Sequence, residues 1–201
     1  MARGYIKKRR AILEEETRQR IVEAAVELHQ TEGGGGATIS AIAERAGVGR
    51  VTVYRHFPNE LALLTACTSH YMTLNPPPNL DQWASIFDPV ERLKYGLAET
   101  YAYHRLTEKM MTVAEHEVAA NPVLADLLKP LDAYWAGARH ILATGWSEQN
   151  EAPPLLWETI GLALSMPAWR ILTRQQGLAD EDCVSLFATM ACTLASWSDA
   201  P

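Results

Sequence analysis

Gly47 divides the stretch from Thr38 to Phe57 into two short helical segments, and two helices joined by so tight a turn admit few arrangements. Thr38 carries the hydroxyl of an N-cap, able to accept a backbone N–H two or three residues on. Ile39, Ile42, Ala43 and Ala46 recur at helical spacing and define one apolar face. Gly47 then supplies the left-handed residue with which helices commonly close, and Val48 supplies an apolar plug between the segments. Gly49 opens the second segment, in which Val53 and Phe57 lie one turn apart. Arg50, Val51, Thr52, Tyr54, Arg55 and His56 are left largely outward. That set holds two cations, an imidazole and two hydroxyls, with no acid. Such a surface suits phosphates and base edges in a DNA major groove. An ordinary solvated basic turn in a helical bundle is the plainer alternative.

Thr38, Ile42-Ala43, Ala46-Gly47-Val48, Thr52-Val53-Tyr54 and His56-Phe57-Pro58-Asn59 together resemble the DNA-binding domain of the TetR family of bacterial transcriptional repressors. The resemblance covers the first quarter to third of the chain. It implies that Thr38, Gly49, Arg50, Val51, Thr52, Tyr54, Arg55 and His56 meet double-stranded DNA. Arg50, Val51 and Thr52 would sit nearest base edges, while Thr38, Tyr54 and His56 would hold phosphates. Three positions depart from the family pattern: Gly49 replaces a usual Ser, Val51 a frequent Gly, and Glu60-Leu61 a Lys or Arg followed by Glu. A carboxylate at 60 suits the positive end of the next helix and repels a polyanion.

The formal charge of −6 argues against a nucleic-acid partner until it is divided along the chain. Residues 1–57 carry 10 Lys or Arg against 7 acids, and the remainder carries 8 against 17. A basic front on an acidic body suits a DNA reader with a separate second domain. Lys7-Lys8-Arg9-Arg10, as a flexible arm, would follow phosphates or enter a minor groove; an ordinary solvated tail is the alternative. No apolar run approaches the roughly 20 residues of a membrane helix, and no apolar stretch follows the charged N-terminus as in a secretory signal. A cytoplasmic location without a membrane partner is therefore expected. Cys67, Cys183 and Cys192 lack metal-ligand spacing and read as small apolar groups in a reducing setting. Neither metal nor cofactor is expected.

Enzyme patterns are missing from the sequence. The glycine link Gly33–Gly36 has no strand before it and no closing Gly-Lys-Ser/Thr. His116 lies between Glu115 and Glu117, but no second His stands four residues away. No nucleophile elbow or dinucleotide fingerprint occurs.

Beyond Phe57 the chain reads as helices. The expected fold class is all-α, with a three-helix helix-turn-helix DNA-binding domain at 1–58. A connecting helix and Pro-rich loop follow at 59–79, then a helical ligand-binding and dimerisation domain at 80–201. The spacing predicts helices over about Glu14–Glu32, Asn59–Leu74, Pro89–His104 and Leu106–Ala120. Further helices are predicted over Val123–Trp146 with a kink at Pro130, Leu155–Gln175 with a bend at Pro167, and Asp180–Trp197.

The last two helices are apolar on more than one face: Leu156, Ile160 and Leu164 with Trp157, Leu162 and Trp169, then Leu186, Met190 and Leu194 with Phe187 and Trp197. A second copy of the chain is the simplest cover, making Leu156, Ile160, Leu164, Leu186, Met190 and Leu194 the expected homodimer interface. The resemblance implies the same pairing, which would set two recognition helices about 34–36 Å apart on a palindromic operator. The resemblance also implies a small-molecule pocket among the middle helices. Tyr101, His104, Met111, His116 and Trp135 are its candidates, for a largely apolar effector; plain core is the alternative for each. The implied function is a transcriptional regulator, a repressor released from its operator by that effector. The rival is a helical ligand-binding or interaction module whose helix-turn-helix is only structural.

Overall fold

The structure is a computed structural model that describes residues 2–33, 35–147 and 152–198, with side chains for 7–33, 35–147 and 152–196. Gly34 of the glycine link and the Trp197 side chain lie outside the described residues. Regular structure among the described residues is helical throughout: α1 (Ala2–Glu32), α2 (Ile39–Arg45), α3 (Arg50–His56), α4 (Glu60–Leu74), α5 (Leu80–Ala84) and α6 (Pro89–Val118). There follow α7 (Pro122–Leu142), α8 (Pro154–Leu164), α9 (Met166–Arg170), a π-helical turn Ile171–Gln175 and α10 (Asp180–Ser198). Two compact units divide the chain. The first comprises Met1–Pro76 with Lys109–Leu128, the second Pro77–Glu108 with Lys129–Pro201.

Two helices are longer than expected. α1 begins at Ala2, so Lys7–Arg10 form exposed helical turns instead of a flexible arm. The segment between Tyr5 and Glu32 has no Gly or Pro to stop it, and most of its residues are good helix formers. α6 is likewise one helix where two were expected, because nothing between His104 and Val118 breaks it. Its Gly96 is buried against the Trp83 ring of α5. A Cβ there would stand 3.2 Å from the ring and 2.8 Å from Leu142 Cδ2, which explains a glycine inside a helix.

The expected Leu155–Gln175 helix is instead broken at Ser165, whose ψ of 132° is extended. Pro167 has no N–H to give the Ala163 carbonyl four residues back, and the Ala168 N–H is taken by Ser165 Oγ at 3.4 Å. The two carbonyls so released are met from α6. Tyr101 Oη donates to Ala163 O at 3.1 Å, and His104 Nε2–H donates to Leu164 O at 3.0 Å. Below the break, Trp169 is fully buried, and its Nε1–H donates to Asp180 Oδ1 at 2.9 Å. Arg105 reaches the same carboxylate at 2.6 Å, and Arg174 stacks on the indole 4.9 Å from its centre while holding Glu108 at 2.7 Å.

His104 is the titrating element of this core. Burial pushes its pKa down to about 4; the Leu164 hydrogen bond opposes that, nearby Arg170 adds to it and Asp180 opposes it. Between about pH 6.5 and 4 the unfolded chain therefore binds a proton at this position that the folded chain refuses. Folding stability should fall with acid across that window, by an amount on the order of 3 kcal/mol. Urea unfolding as a function of pH is the test, and His104→Gln should remove this part of the slope.

Candidate nucleic-acid interface

α2 and α3 pack through the residues the sequence marks as their inner faces. Ile42, Ala43, Ala46, Val53 and Phe57 are buried with Ile21, Val22, Ala25 and Leu28 of α1 and with Leu63 and Cys67 of α4. Thr38 Oγ1 accepts the Ala41 N–H at 3.2 Å and caps α2. The helix ends in a Schellman turn: Gly47, at φ +67°, donates to Glu44 O at 3.1 Å, and Val48 N–H donates to Ala43 O at 2.9 Å. Asn59 Oδ1 caps α4 by accepting the Ala62 N–H at 2.8 Å, once Pro58 has ended the preceding segment. Arg18 of α1 stacks over the Phe57 ring, 4.9 Å from its centre.

This packing leaves α3 facing outward along its polar side. Arg50, Val51, Tyr54 and Arg55 are exposed, Val51 by 83%, and Thr52 is half-buried. Thr38 and Gly49 are exposed beside them. Thr38 spends only a lone pair on its cap, so its O–H proton stays available. His56 differs: it follows Val53 by three residues, is half-buried, and its Nε2 is buried without a partner. Any outward contact from its ring is left to Nδ1. Glu60 is exposed in the first turn of α4. Thr38, Arg50, Tyr54 and Glu60 all line one open groove, which also reaches His116 and Asn121.

The remaining expected site residues are spread out. Tyr101 and His104 are buried in the second unit, bonded to the carbonyls of α8, with the Trp135 ring 5.5 Å from that of His104. Met111 and His116 lie in the first unit, Met111 on a small apolar cavity and the exposed His116 on the open groove. Three expected interface residues, Leu156, Ile160 and Leu164, are buried within the chain itself. The large apolar groups α8 turns outward are instead Leu155 and Leu162, the latter from the second apolar face. Leu186 and Met190 of α10 are exposed, and Leu194 is half-buried.

Gly47→Ala isolates the turn. No atom lies within 4 Å of the added Cβ, so the cost is backbone strain alone. It should lower stability by about 1 kcal/mol in urea unfolding.

Residues 21–67 match the family model for bacterial regulatory proteins of the tetR family. The chain is 44% identical over 69 residues to the HTH-type transcriptional regulator SrpR of Pseudomonas putida, a match covering 33% of this chain and 32% of SrpR. It is 43% identical over 68 residues to the uncharacterized HTH-type transcriptional regulator TtgW, also of Pseudomonas putida, covering 32% of this chain and 51% of TtgW. The matches thus span about a third and about half of the lengths of these curated relatives. In fold, the chain resembles a TetR transcription regulator from Haloarcula marismortui at a TM-score of 0.61 and 15% identity, over 91% of this chain and 98% of that one. Residues 21–67 thus carry the helix-turn-helix segment of the tetR family of bacterial regulatory proteins, and the chain as a whole shares the fold of a solved TetR regulator.

Proposed function

We propose that this chain is a homodimeric, sequence-specific DNA-binding repressor in the cytoplasm, released from a palindromic operator by a small, largely apolar effector. The observation that carries the reading is the outward face of α3, where Arg50, Val51, Tyr54 and Arg55 are exposed with no acid among them. SrpR and TtgW are named transcriptional regulators, which supports it. Residues 1–58 form the reading domain, 59–79 the connection, and 80–201 the effector and dimer domain. Arg50, Val51 and Thr52 meet base edges, Arg50 in bidentate contact with guanine where geometry allows. Thr38 and Tyr54 hold phosphates. No catalytic step, metal or cofactor is assigned.

Pairing is supported by Leu155, Leu162, Leu186 and Met190, large apolar side chains left exposed on α8 and α10. Large exposed apolar groups on two helices suit a partner surface more than solvent. The effector acts by preferring a form in which the two recognition helices no longer match successive turns of DNA. Exposed Glu60 is the feature that favours the rival, a helical module without tight DNA binding.

A gel shift with a fragment from beside the chain's own gene separates the two, and the rival requires no shift at any sequence. Arg50→Ala should cost about 1–3 kcal/mol and relax specificity at one base pair, read by selection from a random duplex pool. Tyr54→Phe should weaken all duplexes alike. In sedimentation, Leu186→Glu should yield folded monomers. Leu156→Ala should instead lower the subunit's own stability by about 2–5 kcal/mol, because that side chain is buried within it.

A further inference from the structure

Val51 is 83% exposed, and among the described large apolar side chains only Phe87 is more so. Its neighbours on the helix surface are Tyr54 and Arg55, three and four residues on, both exposed. Arg50 precedes it, and the face carries no acid. The branched side chain therefore stands in water among cations and a phenol, with nothing in the fold to cover it. Helix propensity does not account for the residue either, since valine is a poorer helix former than alanine or lysine.

Gly49, two residues earlier, is equally unexplained by the fold. Its φ of −80° and ψ of 152° are ordinary extended backbone, open to any residue. A Cβ there would meet nothing within 4 Å. As the N-cap it also leaves α3 without a side-chain cap, which Ser or Asn would supply. Neither strain nor crowding within the chain asks for glycine, so the absent side chain clears space on the outside. Clearance at Gly49 and bare methyl groups at Val51 let this part of α3 lie close against an apolar group.

A DNA major groove offers one such group. Thymine presents its 5-methyl there, whereas the other recognition atoms of the base edges are hydrogen-bond donors and acceptors. Valine has nothing to give those atoms and two methyls to set against that one. We infer that Val51 reads the 5-methyl group of one thymine per half-site, with Gly49 providing the clearance for contact. The inference rests on the repressor reading above and deepens it, by naming the base that the apolar part of α3 selects. Cytosine methylated at C5 presents the same group in the same place. A site with cytosine at that step therefore binds more tightly once methylated.

The test starts from duplexes that the full chain selects from a random pool. Each thymine is then replaced in turn by deoxyuridine, which removes the methyl and keeps every hydrogen-bonding group. One replacement per half-site should weaken binding about fourfold, the worth of one methyl-sized group removed from water. The same replacement should be silent in Val51→Ser, a change at a position exposed enough for the variant to fold. At that step 5-methylcytosine should bind more tightly than cytosine by a similar factor, again only with Val51 in place. Gly49→Ala should weaken every selected duplex, and unchanged affinity overturns the clearance. A selected duplex in which no deoxyuridine matters overturns the thymine contact and leaves the repressor reading standing. A loss that persists in Val51→Ser does the same. Failure to select any duplex overturns the repressor reading and this inference together.

Discussion

The burial of Val53 and Phe57 under α1 and α4 is what gives α3 a fixed direction. A helix of seven residues does not persist alone in water, where even 12–15 residues are marginal. α2 is equally short and is held by the same apolar contacts. Arg50, Val51, Tyr54 and Arg55 stay exposed outside that packing, whereas Thr52 and His56 are half-buried at its edge. The Schellman turn at Gly47 sets the angle between the two pieces, and the Thr38 cap satisfies a donor at the far end. Arg18 adds to this by covering the Phe57 ring from α1, lending a cation to packing instead of to solvent.

In the second unit the governing event is a missing hydrogen bond. Pro167 withholds a donor, the helix opens at Ser165, and Tyr101 and His104 supply what the backbone lost. The Tyr101 hydroxyl and His104 Nε2 are thus committed to the backbone, while His104 Nδ1 stays buried without a partner. The charged groups around Trp169 act similarly: Arg105 and Arg174 stack on or beside the indole and close onto Asp180 and Glu108. With Leu156, Ile160 and Leu164 turned into this core, the outer surface of α8 is left to Leu155 and Leu162.

Legibility followed the range of the interactions. The helix-turn-helix could be read because its signals are local: a cap, a left-handed glycine and inner residues at three- and four-residue spacing. The exposure of Arg50, Val51 and Tyr54 follows from the same spacing. The buried Nε2 of His56 does not, since it depends on how close residue 56 comes to the inner edge of the helix. α6 runs through the boundary that the spacing suggests near Arg105, because no breaker stands there. Which stripe of α8 faces inward was not readable at all. Both stripes are apolar, and the neighbours contributed by α6, α7 and α10 decide between them. The cavity was equally hidden, because its walls come from residues 26 to 128, far apart in the sequence.

Gly96 shows how such neighbours constrain the chain's history. A glycine within a helix is poorer by about 1 kcal/mol than alanine on propensity alone, so drift toward alanine would ordinarily be welcome. Here the first added carbon meets a fully buried indole and a fully buried leucine, neither of which can swing away. A lineage could accept that change only together with a smaller residue at 83 or 142. The three positions are bound to vary as a group or not at all.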